Sequence, residues 1–535
     1  MNGVYRGGMA LLPSTPVTAL LAPMASAHGA APAVIDERGT TSWSALDERV
    51  ARLVHGLRAR GLSPGDTVVA MLGNQVEAVE VSLACAEAGW LFVPVNWHWV
   101  ADELAYVLED ADCSAFVVDG RWLGVATAAL AQVPSVATRL VVDGTADEFD
   151  DYEALLAGSP AGEIQDPVRG GPMFYTSGTT GRPKGVRSAL GRIGGPPEML
   201  TLMAHSLRDT IALPADGGAV QAICGPMYHS AQWVFATFAL LCDATLVLQH
   251  RFDADDLLRL IDAHGVTNLH LVPTQMKRML DVPVERRDQL DLSSLRSVLH
   301  GAAPCPPDVK RRMIDWLGPI VTEYYGGTEG GFLSVISAEE WLERPGSVGK
   351  PLPIIEVTVI GADGEPAGRN EPGDLYFRNL MGSDFEYHKA PDKTASAHRG
   401  EGLGTLGDIG YLDDEGYLYL SDRRIDMIVS GGVNIYPAEI EGVLAAHDAV
   451  ADVAVFGVPD DEMGEQVMAA LALRDGYRWD DALEAKLVAW CREKLAGYKC
   501  PRRFQVLDAL PRLESGKLTK RVLRDPYWAD RAKAI

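Results

Sequence analysis

The stretch Tyr175 to Gly185, YTSGTTGRPKG, crowds glycines, hydroxyl side chains and two cations into eleven positions. Glycine lets backbone N–H groups converge on an anion, and here they run through Thr176, Ser177, Gly178, Thr179, Thr180 and Gly181. The hydroxyls add donors and Lys184 adds a mobile positive charge. This is the chemistry of a loop wrapped round phosphate. It is not the Walker spacing, because Lys184 follows a proline and precedes Gly185. Three more segments carry matching chemistry at wide separation. EYYGGTEGG (Glu323 to Gly331) delivers Glu329, a carboxylate that makes sense beside phosphates if it holds Mg²⁺. LGDIGYLDDEGYLYLSDRR (Leu406 to Arg424) offers Asp408, which could take two hydrogen bonds from a ribose diol. PRLESGKLTKRVLR (Pro511 to Arg524) sets Lys517 after a glycine in a polar loop.

Other patterns fail on context. GLGTLG (Gly402 to Gly407) satisfies the dinucleotide fingerprint, but no hydrophobic strand precedes it and no helix follows, which disfavours an NAD oxidoreductase. No G-x-S-x-G marks a serine hydrolase, and the twelve histidines show no H-E-x-x-H spacing.

The elements that position these residues read as α/β. Trp43 to Gly61 has apolar positions at helical spacing and a glycine stop, and short β-rich runs follow at Asp66 to Leu72 and Cys113 to Asp119. Thr245 to Pro273 reads strand, helix, strand, and this βαβ rhythm argues for a largely parallel sheet with helices on its faces. Around Pro351 to Leu420 short alternating runs between Gly/Asp turns predict a small antiparallel or barrel-like piece. A compact α+β segment closes the chain, with a boundary near Asp422, giving expected domains 1–422 and 423–535.

At 535 residues the chain is too long for one core. With 47% hydrophobic and 23% charged residues it reads as soluble and globular. A net charge of -25 argues against nucleic acid or an anionic membrane as partner, so any nucleotide must sit in a local positive pocket. The seven cysteines form no C-x-x-C pair, which favours a reducing cytoplasm. Pro13, Pro16 and Pro23 break the apolar N-terminal stretch and disfavour a signal peptide, and no run approaches the ~20 apolar residues of a spanning helix.

Taken together, these segments resemble the adenylate-forming superfamily of acyl-CoA synthetases, peptide-synthetase adenylation domains and firefly luciferases. YTSGTTGRPKGV matches its phosphate loop, YYGGTE its Y-G-x-T-E motif, and GGVNIYPAEIE and ESGKLTKR its C-terminal motifs, over about Trp43 to Arg524. The resemblance implies a large N-terminal domain of two doubly wound αβα halves plus a β-barrel, closed by a small mobile α+β domain. It implies ATP, Mg²⁺ and CoA. A substrate carboxylate would attack the α-phosphorus and expel pyrophosphate, and a thiol would then displace AMP. Residues 176–184 would cradle the β- and γ-phosphates, Thr328 the α-phosphate, and Glu329 the metal. Tyr325 with Gly301, Ala302 and Ala303 would flank adenine, and Asp408 with Arg423 would hold ribose. Lys517 would bridge carboxylate and α-phosphate, and Ser430, Gly431 and Gly432 would reach the thiol tunnel after the small domain turns.

Two departures stand out. Leu406 occupies the usual threonine position before Gly407-Asp408, and Ile425 the usual polar hinge position, which makes unaided thioester formation less certain than adenylation. Amino-acid-activating relatives need an aspartate for the substrate ammonium. Gly225 to Phe238 has His229, matching a family histidine near the carboxylate, but no acid. Tyr228, Trp233 and Phe235 suggest an apolar pocket, and Gly326 and Gly327, with Gly330 and Gly331, predict an unusually open floor. The expected acid is therefore bulky and apolar, of polycyclic terpenoid or steroid-like type, ahead of a linear fatty acid. Three readings stand: an acyl-CoA ligase; an adenylating enzyme that passes acyl-AMP to a carrier protein or partner ligase; and a silent nucleotide-binding regulator. Intact Lys184, Glu329, Asp408 and Lys517 argue against the last, and the lack of a carrier domain after Ile535 favours free CoA.

Overall fold

A computed structural model describes residues 20–529, apart from 177–182, 211, 214–217, 401, 424–425, 431–432, 461–462, 496 and 514–517. Helix ends follow local chemistry. Ser42 caps Trp43–Ala59 by accepting from Ala45 N, and Asp253 caps Ala254–His264 by accepting from Asp256 N. Gly265 ends the latter at φ 60, a left-handed conformation that glycine enters without a Cβ penalty.

Two sheets carry the larger part. One orders Asp150–Asp151, Thr138–Val142, Cys113–Asp119, Thr67–Met71, Leu91–Pro94 and Gly171–Pro172, all parallel. The other runs parallel from Val321–Gly327 through Ser297–His300, Asn268–Leu271, Val220–Ile223 and Thr245–Leu248 to Pro32–Asp36, with antiparallel strands added at both edges. The doubly wound α/β expectation therefore holds.

The two sheets share a core. Every residue of helix Val76–Ala88 is buried, as is nearly all of Ser230–Leu241, so each helix is enclosed on all sides, with Glu77, Glu80 and Glu87 buried among the apolar residues of the first. Side chains from both helices and both sheets join one continuous cluster. The Trp233 indole Nε1 donates to Ser82 Oγ at 2.7 Å, joining the helices.

The barrel-like piece is a four-stranded antiparallel sheet, Ile355–Ile360, Gly373–Asn379, Asp408–Leu412 and Leu418–Arg423. The C-terminal part is built on a sheet containing Ile428–Ser430, Val433–Ile435, Val450–Asp460, Gly464–Leu473 and Arg503–Val506. Asp422 lies in the last strand of the four-stranded sheet, and Ile428 opens the next. No helix among the described residues is long and apolar enough to cross a membrane.

Candidate active site

The carboxyl ends of Leu91–Pro94, Val220–Ile223, Asn268–Leu271, Ser297–His300 and Val321–Gly327 open onto one cleft of about 2530 Å³. Ligand sites in doubly wound sheets form at such ends, where loops diverge and backbone groups stay free. Two neighbouring strands, Ser297–His300 and Val321–Gly327, deliver the segments expected around adenine. The first runs into Gly301, where a Cβ would lie 2.6 Å from Tyr324 O, and then into Ala302 at φ 63. Ala302, Ala303 and Tyr325 line the cleft. The Tyr325 hydroxyl donates to Asp408 Oδ2 at 2.7 Å, tying the large sheet to the four-stranded one. Asp408 is paired in register with Arg423, whose side chain lies outside what the structure describes.

The expected phosphate loop is flanked by paired strands. Phe174–Thr176 and Lys184–Arg187 run antiparallel with Lys184 opposite Thr176, so both expected residues meet at the cleft wall. Ser177, Gly178, Thr179, Thr180 and Gly181 lie outside the described residues. On the far side of Lys184–Arg187, strand Glu386–Tyr387 adds Tyr387. Its hydroxyl donates to Glu329 Oε1 at 3.1 Å, and Lys184 Nζ sits 5.1 Å from its ring centroid. Burial, with Lys393 nearby, lowers the Lys184 pKa, and the Glu329 charge offsets part of that. Burial and Glu329 together push the Tyr387 phenol up, keeping it a donor. Sequence reasoning missed Tyr387, because it stands 58 residues from Glu329 and only the sheet joins them.

Thr328 and the helix Ser230–Leu241 meet directly, the Ser230 and Thr328 hydroxyl oxygens lying 2.9 Å apart. His229 occupies the N-cap position of that helix, and its ring lies 4.5 Å from that of Tyr228. Both line the cleft. Trp233 does not. It is 1% exposed and bonded to Ser82, a core residue rather than a pocket wall. The apolar wall comes instead from Met199, Met203 and Leu207 facing Ala231, Val234 and Phe238.

The glycine-opened floor is a second correction. A Cβ on Gly326 would lie 1.9 Å from Gly331 O, and one on Gly330 would lie 2.8 Å from Phe377. Gly326 permits close packing within the hairpin, and Gly330 close packing against the four-stranded sheet. At Gly327 the space is occupied by Leu406, whose Cδ atoms lie 3.1 Å from where a Cβ would be. Leu406 fills what the missing side chain vacates.

Lys517 lies outside the described residues, but its flanks do not. Arg512 and Leu518 pair as an antiparallel bridge, and Leu513, Leu518 and Thr519 line the same cleft. Ser430 is in register with Val433, while Gly431 and Gly432 are outside the described residues. Among the described residues no group of three His, Cys, Asp or Glu could hold a metal ion. A lone carboxylate suits Mg²⁺ all the same, because that ion keeps several waters and takes further oxygens from substrate phosphates.

Residues 22–381 match the AMP-binding enzyme family and residues 439–517 the AMP-binding enzyme C-terminal domain. The chain is 35% identical over 492 residues to a feruloyl-CoA synthase of an Amycolatopsis species, covering 90% of this chain and 93% of that one. It is 33% identical over 515 residues to 3-oxocholest-4-en-26-oate–CoA ligase of Rhodococcus rhodochrous, covering 90% and 91%. The o-succinylbenzoate-CoA synthetase of Bacillus subtilis, solved with its acyl-adenylate intermediate, superposes with TM-score 0.79 at 29% identity, covering 95% of this chain and 98% of that one. The chain belongs to the AMP-binding enzymes, the adenylate-forming superfamily. It is an acid–thiol ligase of the acyl-CoA synthetase kind, with ATP and coenzyme A as co-substrates.

Proposed function

We propose that this ligase activates a bulky, apolar carboxylic acid, with polycyclic skeletons ahead of slim linear chains. The observation that carries this is the apolar wall beside Thr328. Met199, Met203 and Leu207 from one helix face Ala231, Val234 and Phe238 from another. Methionines shape themselves to irregular skeletons, and Met199, 42% exposed, leaves the wall reaching solvent. The steroid-acid relative supports the same reading.

In the proposed sequence a carboxylate oxygen attacks the α-phosphorus as the bond to pyrophosphate breaks, giving acyl-AMP. The thiolate sulfur of CoA then attacks the acyl carbon and AMP leaves. Thr328, paired with Ser230, is positioned to donate to the α-phosphate, and Lys184 to the outer phosphates. Lys517 bridges the two anions as charge develops between them. Mg²⁺, when bound, neutralises phosphate charge, and Glu329, oriented by Tyr387, is the residue to hold it. Asp408 and Tyr325 hold the nucleoside. The 1–422 and 423–535 division supplies the turn that withdraws Lys517 and brings Ser430 to Gly432 to the thiol.

The test is pyrophosphate release across an acid panel, with and without CoA, resolving acyl-AMP from acyl-CoA. Preference for benzoate or a slim linear chain rejects the bulky-acid reading. Acyl-AMP that accumulates despite CoA favours transfer to a carrier protein or partner ligase.

A further inference from the structure

Tyr324 sits on strand Val321–Gly327 between Glu323 and Tyr325, so the strand's alternation turns it to the opposite face from its neighbours. There its hydroxyl lies 2.9 Å from His270 Nε2, and Gln232 Nε2 lies 2.8 Å from His270 Nδ1. The imidazole stacks on Phe235 with centroids 4.3 Å apart. Tyr324 is 6% exposed, Gln232 4% and His270 1%, yet all three line the cleft. Around them the wall is apolar, with Phe332 packed edge-on to Tyr324 at 4.9 Å.

The protons of this chain can be followed. An amide nitrogen only donates, so His270 Nδ1 accepts from Gln232. Burial pushes the His270 pKa down to about 3, so the ring is neutral and carries one N–H. That proton is on Nε2 and goes to the Tyr324 oxygen. The phenol's own proton is used by neither bond, and Gln232 Oε1 is a buried acceptor with no partner. A buried donor and acceptor left idle cost stability. In a binding cleft they are the few polar points that orient an otherwise apolar ligand.

We infer that the acid carries an oxygen remote from its carboxylate, as a ketone, hydroxyl or ether on the apolar skeleton, and that Tyr324 makes the hydrogen bond that selects it. This rests on the ligase reading above and narrows its substrate class. The Gln232–His270 pair acts through Tyr324 by fixing which way the phenol proton points.

Matched acids test this: cinnamate with its para-hydroxy derivative, cholanate with a ring-oxo derivative, and decanoate with its ω-hydroxy derivative. Pyrophosphate release is measured for each with the full chain and with Tyr324→Phe. In at least one pair the oxygenated member should lead by about tenfold or more in kcat/KM, and Tyr324→Phe should cut that lead to within about threefold. Turnover of the unoxygenated partner should stay within about twofold, which also reports that the variant is folded. Equal use of both members of every pair, or a lead that survives Tyr324→Phe, overturns the inference and leaves the ligase reading standing. Loss of both members' turnover in the variant overturns it too, since Tyr324 would then support the reaction itself rather than selection. If no acid releases pyrophosphate, the ligase reading fails and takes this inference with it.

Discussion

The Tyr387 hydroxyl donates to Glu329 Oε1 at 3.1 Å, while Lys184 Nζ lies 5.1 Å from the same ring's centroid. One aromatic side chain thus separates the expected metal-holding carboxylate from the expected phosphate-holding lysine.

Tyr387→Phe keeps the ring under Lys184 and removes only the donor to Glu329. Hydrogen bonds to charged groups contribute about 1.5–3 kcal/mol when buried, and this one is half-buried. The Mg²⁺ concentration for half-maximal ATP–pyrophosphate exchange should rise about three- to tenfold. Glu329→Gln should cost about 100-fold or more in the same assay.

Tyr325→Phe removes the bond to Asp408 Oδ2 and leaves the acid pocket untouched. The KM for ATP should rise about fivefold, the worth of roughly 1 kcal/mol, with the KM for the acid unchanged. Equal rises in both would mean that the bond holds the fold rather than the nucleoside.

Gly327→Met forces a side chain into space that Leu406 fills. Overpacking of this kind costs about 1–3 kcal/mol, read as a lower denaturant midpoint at unchanged slope. Leu406→Ala in the same chain should recover part of the loss. A double-mutant cycle that shows the two substitutions simply adding would refute direct packing.

Lys517→Ala should lower adenylation by about 100-fold or more, read as ATP–pyrophosphate exchange. Thioester formation from supplied acyl-AMP should fall by much less, because the two anions no longer need to be held together.

His270 is neutral when folded, its pKa lowered to about 3 by burial, against 6.5 in the unfolded chain. Between those values the unfolded state binds the extra proton, so stability is complete above 6.5 and is lost as pH falls toward 3. From pH 7 to 5 this one group removes about 2 kcal/mol, at 1.36 kcal/mol per pH unit below 6.5. Denaturant titrations should show wild type losing about that much more over this range than His270→Gln.

The glycine loop, Y-G-x-T-E turn, Asp408 and Lys517 segments could all be found by eye, because each is a local pattern. Glycines are required where backbone approaches backbone or phosphate, and that constraint is written residue by residue. The βαβ rhythm was legible for the same reason, since strands and helices advertise their own periods. Trp233 reads as a pocket residue in the sequence because helix Ser230–Leu241 is buried on nearly every face. A helix buried all round has no stripe to say which side chains meet the cleft and which the core. Gly327 reads as open space in the sequence because nothing near it in the chain fills the gap. Leu406, 79 positions later, does so by way of a different sheet. Local geometry was therefore set by residue type alone, whereas the pairings Tyr387–Glu329, Gly327–Leu406 and Tyr324–His270–Gln232 came from strand order. Side-chain contacts between distant segments depend on how sheets stack, and no short window of residues encodes that.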